Sequence, residues 1–126
     1  LFLHLKKMGV GDAYRRAAIL ISHRGFSRSL TCDPYSGAVD VEGAILLSCG
    51  ASEKRLHEGR AHAHDCGAPE ASVIKILMAC DYFEAMTDED IAEWSRNHSQ
   101  SETITILNKL ADRIDITVVS PLDDNQ

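Results

Sequence analysis

Helix start and stop signals cut this chain into short pieces, and that punctuation limits its fold more than any other feature of the sequence. Asp12 suits the cap of a helix over 13–24, where Ala13, Ala17, Leu20 and Ile21 recur at helical spacing. Gly25 closes it, because glycine accepts the left-handed backbone that ends many helices. The apolar run from Glu42 to Cys49 ends at Gly50. Periodicity alone does not separate a buried helix from a strand there; the Gly43-Ala44 entry and the terminal glycine favour a helix. Ser52 offers a cap for a polar helix from Glu53 to about His64, weakened by Gly59 and ended by Gly67. Pro69 suits the first turn of a helix reaching about Phe83, with Val73, Ile74, Leu77, Met78 and Cys80 as its buried side. Thr87-Asp88-Glu89-Asp90 reads as a capping box ahead of Ile91 to Trp94. Ser99-Gln100-Ser101-Glu102 starts the last helix, with Ile104, Leu107, Ala111 and Ile114 on one face.

Two segments break the helical rhythm. Phe26 to Thr31 alternates loosely between apolar and polar, Asp33-Pro34-Tyr35-Ser36-Gly37 is turn chemistry, and Ala38 to Val41 is again extended. Together they predict a small β-hairpin. Ile116 to Val119 is β-branched and stops before Pro121, which predicts a docked terminal strand or an extended tail. The expected fold is a compact single-domain helical bundle, predominantly α with a small β-hairpin and α+β only in the loose sense. Residues 1–11 read as an N-terminal extension, 12–120 as the single globular domain and 121–126 as a C-terminal tail. Met8 offers an internal start, which would leave residues 1–7 as an added segment.

The chain has 126 residues, of which 44% are hydrophobic, so a core can form without a staple. A formal net charge of -6 opposes non-specific binding to nucleic acid or to an anionic membrane. Arg15, Arg16, Arg24 and Arg28 form the densest basic stretch of the first third. No run reaches transmembrane length. Leu1 to Lys7 is apolar and then basic, the reverse of a secretory signal. A cytoplasmic protein without membrane contact is therefore expected.

The order of helix, hairpin with turn, apolar Gly-Ala helix, variable segment, apolar helix, tryptophan and capped final helix resembles a family of short stand-alone bacterial and phage proteins, the domain of unknown function number 6197. The residues that carry the likeness are Ala17-Ala18-Ile19-Leu20-Ile21 leading to Gly25-Phe26, the turn at 33–37, Gly43-Ala44-Ile45-Leu46, and Trp94 ahead of the helix from Ser101 to Leu110. It spans about residues 12–115. The family has a cysteine just before its Gly-Ala pair, where this chain has Asp40, Val41 and Glu42. It also has Trp-Asn-Asp, where this chain reads Trp94-Ser95-Arg96-Asn97. The resemblance implies a bacterial or phage-type protein and brings no activity with it.

The densest chemistry is His57, His62, His64, Asp65 and Cys66, residue types that suit zinc. On a helix, His62 and His64 point to different faces; on an extended segment they align. No Cys-x-x-Cys or His-Glu-x-x-His spacing is present, so a solvated polar helix is favoured over a metal site, and no cofactor is expected. Cys49 before Gly50 sits at the negative end of its helix, which raises a thiol's pKa rather than activating it. Asp88, Glu89 and Asp90 read as charges at a helix N-terminus, and Gly9-Val10-Gly11 lacks the context of a nucleotide loop. Residues 87–110 have a helix-turn-helix rhythm. Glu102 stands at the head of the would-be recognition helix, whose one basic residue is Lys109, and this opposes DNA. The leading expectation is a non-enzymatic binding or regulatory module whose partner is a protein or a small ligand, with a homo-oligomer as a further option. The alternatives are a metal-binding protein or metal-dependent enzyme built on His57, His62, His64 and Cys66, and a helix-turn-helix DNA-binder.

The four cysteines are Cys32, Cys49, Cys66 and Cys80. A chain of this size needs no bridge, and the apolar run around Cys80 suits a reduced thiol acting as a small hydrophobe. Thiol titration of freshly purified, denatured protein is expected to find four free thiols; two or none without oxidant would show the opposite.

Overall fold

The computed structural model describes residues 2–116; of the strand or tail expected from Ile116 onward, Ile116 instead ends the last helix and the rest lies outside the described residues. The order is α1 (Phe2–Met8), α2 (Val10–Arg24), α3 (Val41–Ser48), α4 (Glu53–His57), a 3-10 turn (Glu70–Ser72), α5 (Val73–Thr87), α6 (Ile91–Asn97) and α7 (Gln100–Ile116). The molecule is predominantly helical, as the punctuation implies. None of the described helices is long and apolar enough to cross a membrane.

Helix α2 lies at the centre. Val10, Ala13, Tyr14, Ala17, Ala18 and Ile21 are all buried, and the helix packs most extensively on α7 and α3. Three alanines in that stripe let its neighbours approach closely, and α7 answers with Thr103, Leu107, Leu110, Ala111 and Ile114. Residues 2–11, read from sequence as an extension, form α1 and the start of α2, with Leu5 and Val10 buried. Gly9 divides the two helices at φ 75°, a conformation that favours glycine. Asp12 therefore lies inside α2, where it pairs with Arg16 at 3.0 Å instead of capping.

The expected β-hairpin is not formed. Among the described residues there are only isolated bridges, in which Val39 meets Phe26 in parallel fashion and Cys32 in antiparallel fashion. The reason is local. Ser27 Oγ accepts a hydrogen bond from Leu30 N, which turns the chain back before a strand can extend. Asp33 Oδ1 accepts from the amides of Tyr35 and Ser36, giving the tight turn that the sequence implied.

Helix α5 also departs from expectation. Val73, Ile76, Ala79, Tyr82 and Phe83 face the core, whereas Ile74 and Leu77 are 61% and 44% exposed. A helix apolar on most sides contains more than one stripe at helical spacing, and packing chose between them. Helix α4 stops at His57 rather than His64, because Gly59 takes φ 79° and turns the chain away.

Helix α7 begins as its cap predicts, whereas α6 does not start from a Thr87 box: Thr87 ends α5, its Oγ1 donating to the Phe83 carbonyl, and Asp90 is the cap. Asp90 Oδ1 accepts from Ala92 N, while Ser99 Oγ accepts from Glu102 N and Glu102 returns a carboxylate to Ser99 N. Trp94 is buried between α5 and α7. Its ring meets Phe83 edge-on at 5.1 Å, and its Nε1 donates to Thr103 Oγ1 at 3.0 Å. His98 stacks on its other side at 3.5 Å and is hydrogen-bonded to Glu89 and Glu102. Trp94→Ala is expected to cost about 3–5 kcal/mol, the range for deleting a buried aromatic. Denaturant unfolding checks this, and a near-neutral change together with water-like indole emission in the wild type would refute the burial.

Candidate functional site

The site begins with the cap of α3. Asp40 Oδ1 accepts from Gly43 N at 2.7 Å, and Ser95 Oγ accepts from Val41 N at 3.0 Å. A Cβ on Gly43 would lie 1.9 Å from the Thr31 carbonyl oxygen, so α3 rests directly on the backbone of the preceding loop. This seating places Glu42 on the rim of a cavity of about 320 Å³, closed also by residues 61–63, α5 and the start of α6. Leu46 and Ile76 form apolar walls, and Glu42, Glu84, Asp90 and His62 bring charge to it.

The three carboxylates are not equivalent. Glu84 Oε2 accepts from Ile91 N at 2.8 Å, and Asp90 is engaged as the α6 cap. Glu42 is half-buried, and its carboxylate has no hydrogen bond or ion pair among the described residues. Burial, then Asp90 and Glu84, push its pKa up, while His62 opposes the rise. Cys80 lines the same cavity, its thiol pushed up to about 12 chiefly by burial, which leaves it protonated and inert.

The structure disperses the histidine-rich segment. His62 reaches the acidic cavity, His64 is exposed, and Cys66 is buried with its Sγ near the Ala63 carbonyl. Asp65 pairs with Arg60 at 2.9 Å. His57 turns the other way, toward Glu53 one helical turn earlier, with Nε2 to Oε1 at 3.7 Å. Among the described residues, one set of three metal-type donors lies within 4.8 Å of one another, namely Cys32, Glu53 and His57. His62, His64 and Cys66 do not form such a set. All four cysteines are free, with Cys32, Cys49 and Cys66 buried.

A second cavity, of about 260 Å³, is walled by Leu5, Met78, Tyr82 and Met86, with Asp81 as its charged residue. The Tyr82 hydroxyl is the one buried side-chain oxygen or nitrogen without a partner among the described residues. Sequence reasoning did not single out Glu42 or Glu84. The available signal was a carboxylate embedded in an otherwise apolar helical run, beside Gly43-Ala44 and after Tyr82-Phe83. In the helix-turn-helix segment, Glu89 and Glu102 flank His98 at the head of α7. Comparison of the chain with protein-family models, curated proteins and solved structures found no match.

Asp40 supplies a pH test of this framework. Burial pushes its carboxyl up to about 7, although the amides of Gly43 and Glu42 favour the ionised form. In the unfolded chain the same group ionises near 3.8. Between those values the unfolded chain has lost the proton and the native chain keeps it. Stability therefore falls as pH rises through that window and levels off above it. Asp40→Asn keeps a capping oxygen and removes the titration. Urea melts across the window are expected to show the variant lacking a loss on the order of 2–4 kcal/mol. Parallel pH profiles for the two proteins would refute the raised carboxyl.

Proposed function

We propose that this chain is a non-enzymatic binding module that receives an alkylammonium or guanidinium group in the cavity of Glu42, Glu84 and Asp90. The observation that carries the reading is the half-buried Glu42 carboxylate, which lacks a hydrogen-bond or ion-pair partner among the described residues. A carboxylate removed from water and left unpaired costs free energy, and an incoming cation recovers it. Leu46 and Ile76 supply apolar walls for an aliphatic stem. The carboxylates and His62 do not gather their donor atoms within 4.8 Å as a set. That spacing suits an organic cation with several N–H donors better than a bare metal ion.

The absence of an activated nucleophile at this cavity supports binding over catalysis, since Cys80 is held protonated. The acidic head of α7 weighs against DNA as the ligand, because a phosphate backbone would meet Glu89 and Glu102.

The test uses n-butylammonium and n-butylguanidinium, with n-butanol as the neutral control and a lysine-rich peptide as the macromolecular arm. In a heteronuclear NMR titration the cations are expected to shift amides near Glu42, Glu84 and Asp90, with Kd on the order of millimolar. Tighter binding of the peptide points to a protein partner; equal binding points to a free small ligand. Glu42→Gln is expected to weaken the cations about fivefold or more while leaving n-butanol unaffected. Cation shifts that are scattered over the surface, or that Glu42→Gln leaves intact, refute the site.

A further inference from the structure

The end of α2, the loop before α3 and the short helix α4 meet at a second cluster of chemical groups, on which the proposed function makes no demand. Cys32 is held in the loop by its bridge to Val39 and is 3% exposed. Ser52 caps α4 by accepting from Arg55 N, and Ser52 N in turn donates to the Cys66 carbonyl at 2.7 Å. The helix start is thereby fixed, and Glu53 and His57, four residues apart, share one face. Cys32 Sγ lies 3.9 Å from Glu53 Oε1, and His57 Nε2 lies 3.7 Å from the same oxygen. A tetrahedral zinc ion with bonds of about 2.0–2.3 Å spaces such ligand atoms about 3.3–3.6 Å apart. The two separations to Glu53 exceed this by a few tenths of an ångström and all three donor atoms lie within 4.8 Å of one another, an excess that rotation of the partly exposed Glu53 and His57 side chains can close.

The fourth member is Arg24. Its Nε donates to the Gly37 carbonyl at 2.8 Å, and its Nη2 pairs with Glu53 and lies 3.8 Å from Cys32 Sγ. A guanidinium therefore stands beside the two groups that carry negative charge when a metal binds. That position compensates the Glu53 carboxylate and competes with any cation drawn to it.

We propose that Cys32, Glu53 and His57 form a three-ligand site for a borderline-soft divalent cation of the zinc class, with Arg24 competing with the metal for the Glu53 carboxylate. The set combines a thiolate, an imidazole and a carboxylate, donors that together select zinc-type ions over magnesium or calcium. Three protein ligands leave a fourth position for water or for an atom of a bound molecule. The thiol proton leaves on binding, so uptake of metal releases one proton to solvent.

Cobalt(II) tests the site directly in the reduced, full chain. One cobalt per chain is expected, with a thiolate-to-cobalt charge-transfer band and the strong visible bands of a tetrahedral ion, both removed by added zinc. Cys32→Ser is expected to abolish the charge-transfer band. His57→Ala is expected to weaken cobalt binding about tenfold or more. Arg24→Gln is expected to tighten it by removing the competing charge. No charge-transfer band at saturating cobalt, or one that survives Cys32→Ser and disappears in Cys66→Ser, overturns the proposal. Should Cys32→Ser fail to fold, the exposed His57→Ala decides, and unchanged affinity in that variant is equally fatal.

Discussion

The hydrogen bond from the Tyr14 hydroxyl to the Ala79 carbonyl, 2.5 Å long and wholly buried, joins the central helix to the apolar helix that walls the cavity. Burial holds this phenol far above its usual ionisation range, so it stays a donor throughout the accessible pH scale. Around it the small residues of α2 admit α7 on one side and α3 on the other. Arg15 secures the far end of α7 through Asp112 and Asp115. Such surface pairs contribute little free energy, and the buried stripe sets the arrangement.

The acidic cavity shows how stability and binding are distributed in a chain this small. Asp90 and Glu84 each spend one carboxylate oxygen on the backbone amides that start α6, so they serve architecture first. Glu42 has no such duty, and among the described residues its carboxylate makes no hydrogen bond or ion pair, with only the nearby His62 favouring its charge. Its tolerance follows from partial rather than complete burial: water still reaches the group and moderates the cost of desolvation. The Cys32 cluster follows a different logic. There Arg24 already balances the carboxylate, and burial raises the thiol while Arg24 lowers it. One region is short of positive charge and the other is supplied with it, which is why different ligands fit them.

His98 adds a pH-responsive clasp at the far end of the molecule. Burial opposes its charge, but the hydrogen bonds that its ring donates to the Glu102 and Glu89 carboxylates prevail and raise its pKa. The stability this gives is fully present below the imidazole's ordinary range and fades as pH rises through the raised value. The clasp ties the turn before α6 to the head of α7 and presses the imidazole onto Trp94.

Several caps and glycines were legible without coordinates. Gly25, Ser52 and the Ser99–Glu102 box act within one turn, between groups a few residues apart, so their chemistry is complete in the local sequence, whereas Asp12 and Thr87 turned out to lie inside helices rather than at their starts. The same locality explains the tight turn at Asp33. What the local pattern did not reveal depends on distant partners. The 26–41 segment had the alternation of a hairpin, yet a strand pair requires register between two stretches, and the Ser27 turn withdrew one of them. Helix α5 offered several apolar stripes, and packing against α1, α2, α3 and α6 selected Ile76, Ala79 and Phe83 over Ile74 and Leu77. His57 and His62 are five residues apart, but the turn at Gly59 sends one to Glu53 and Cys32 and the other to Glu42. Residue types are written in the chain; their convergence is set when packing brings together side chains that sequence keeps apart.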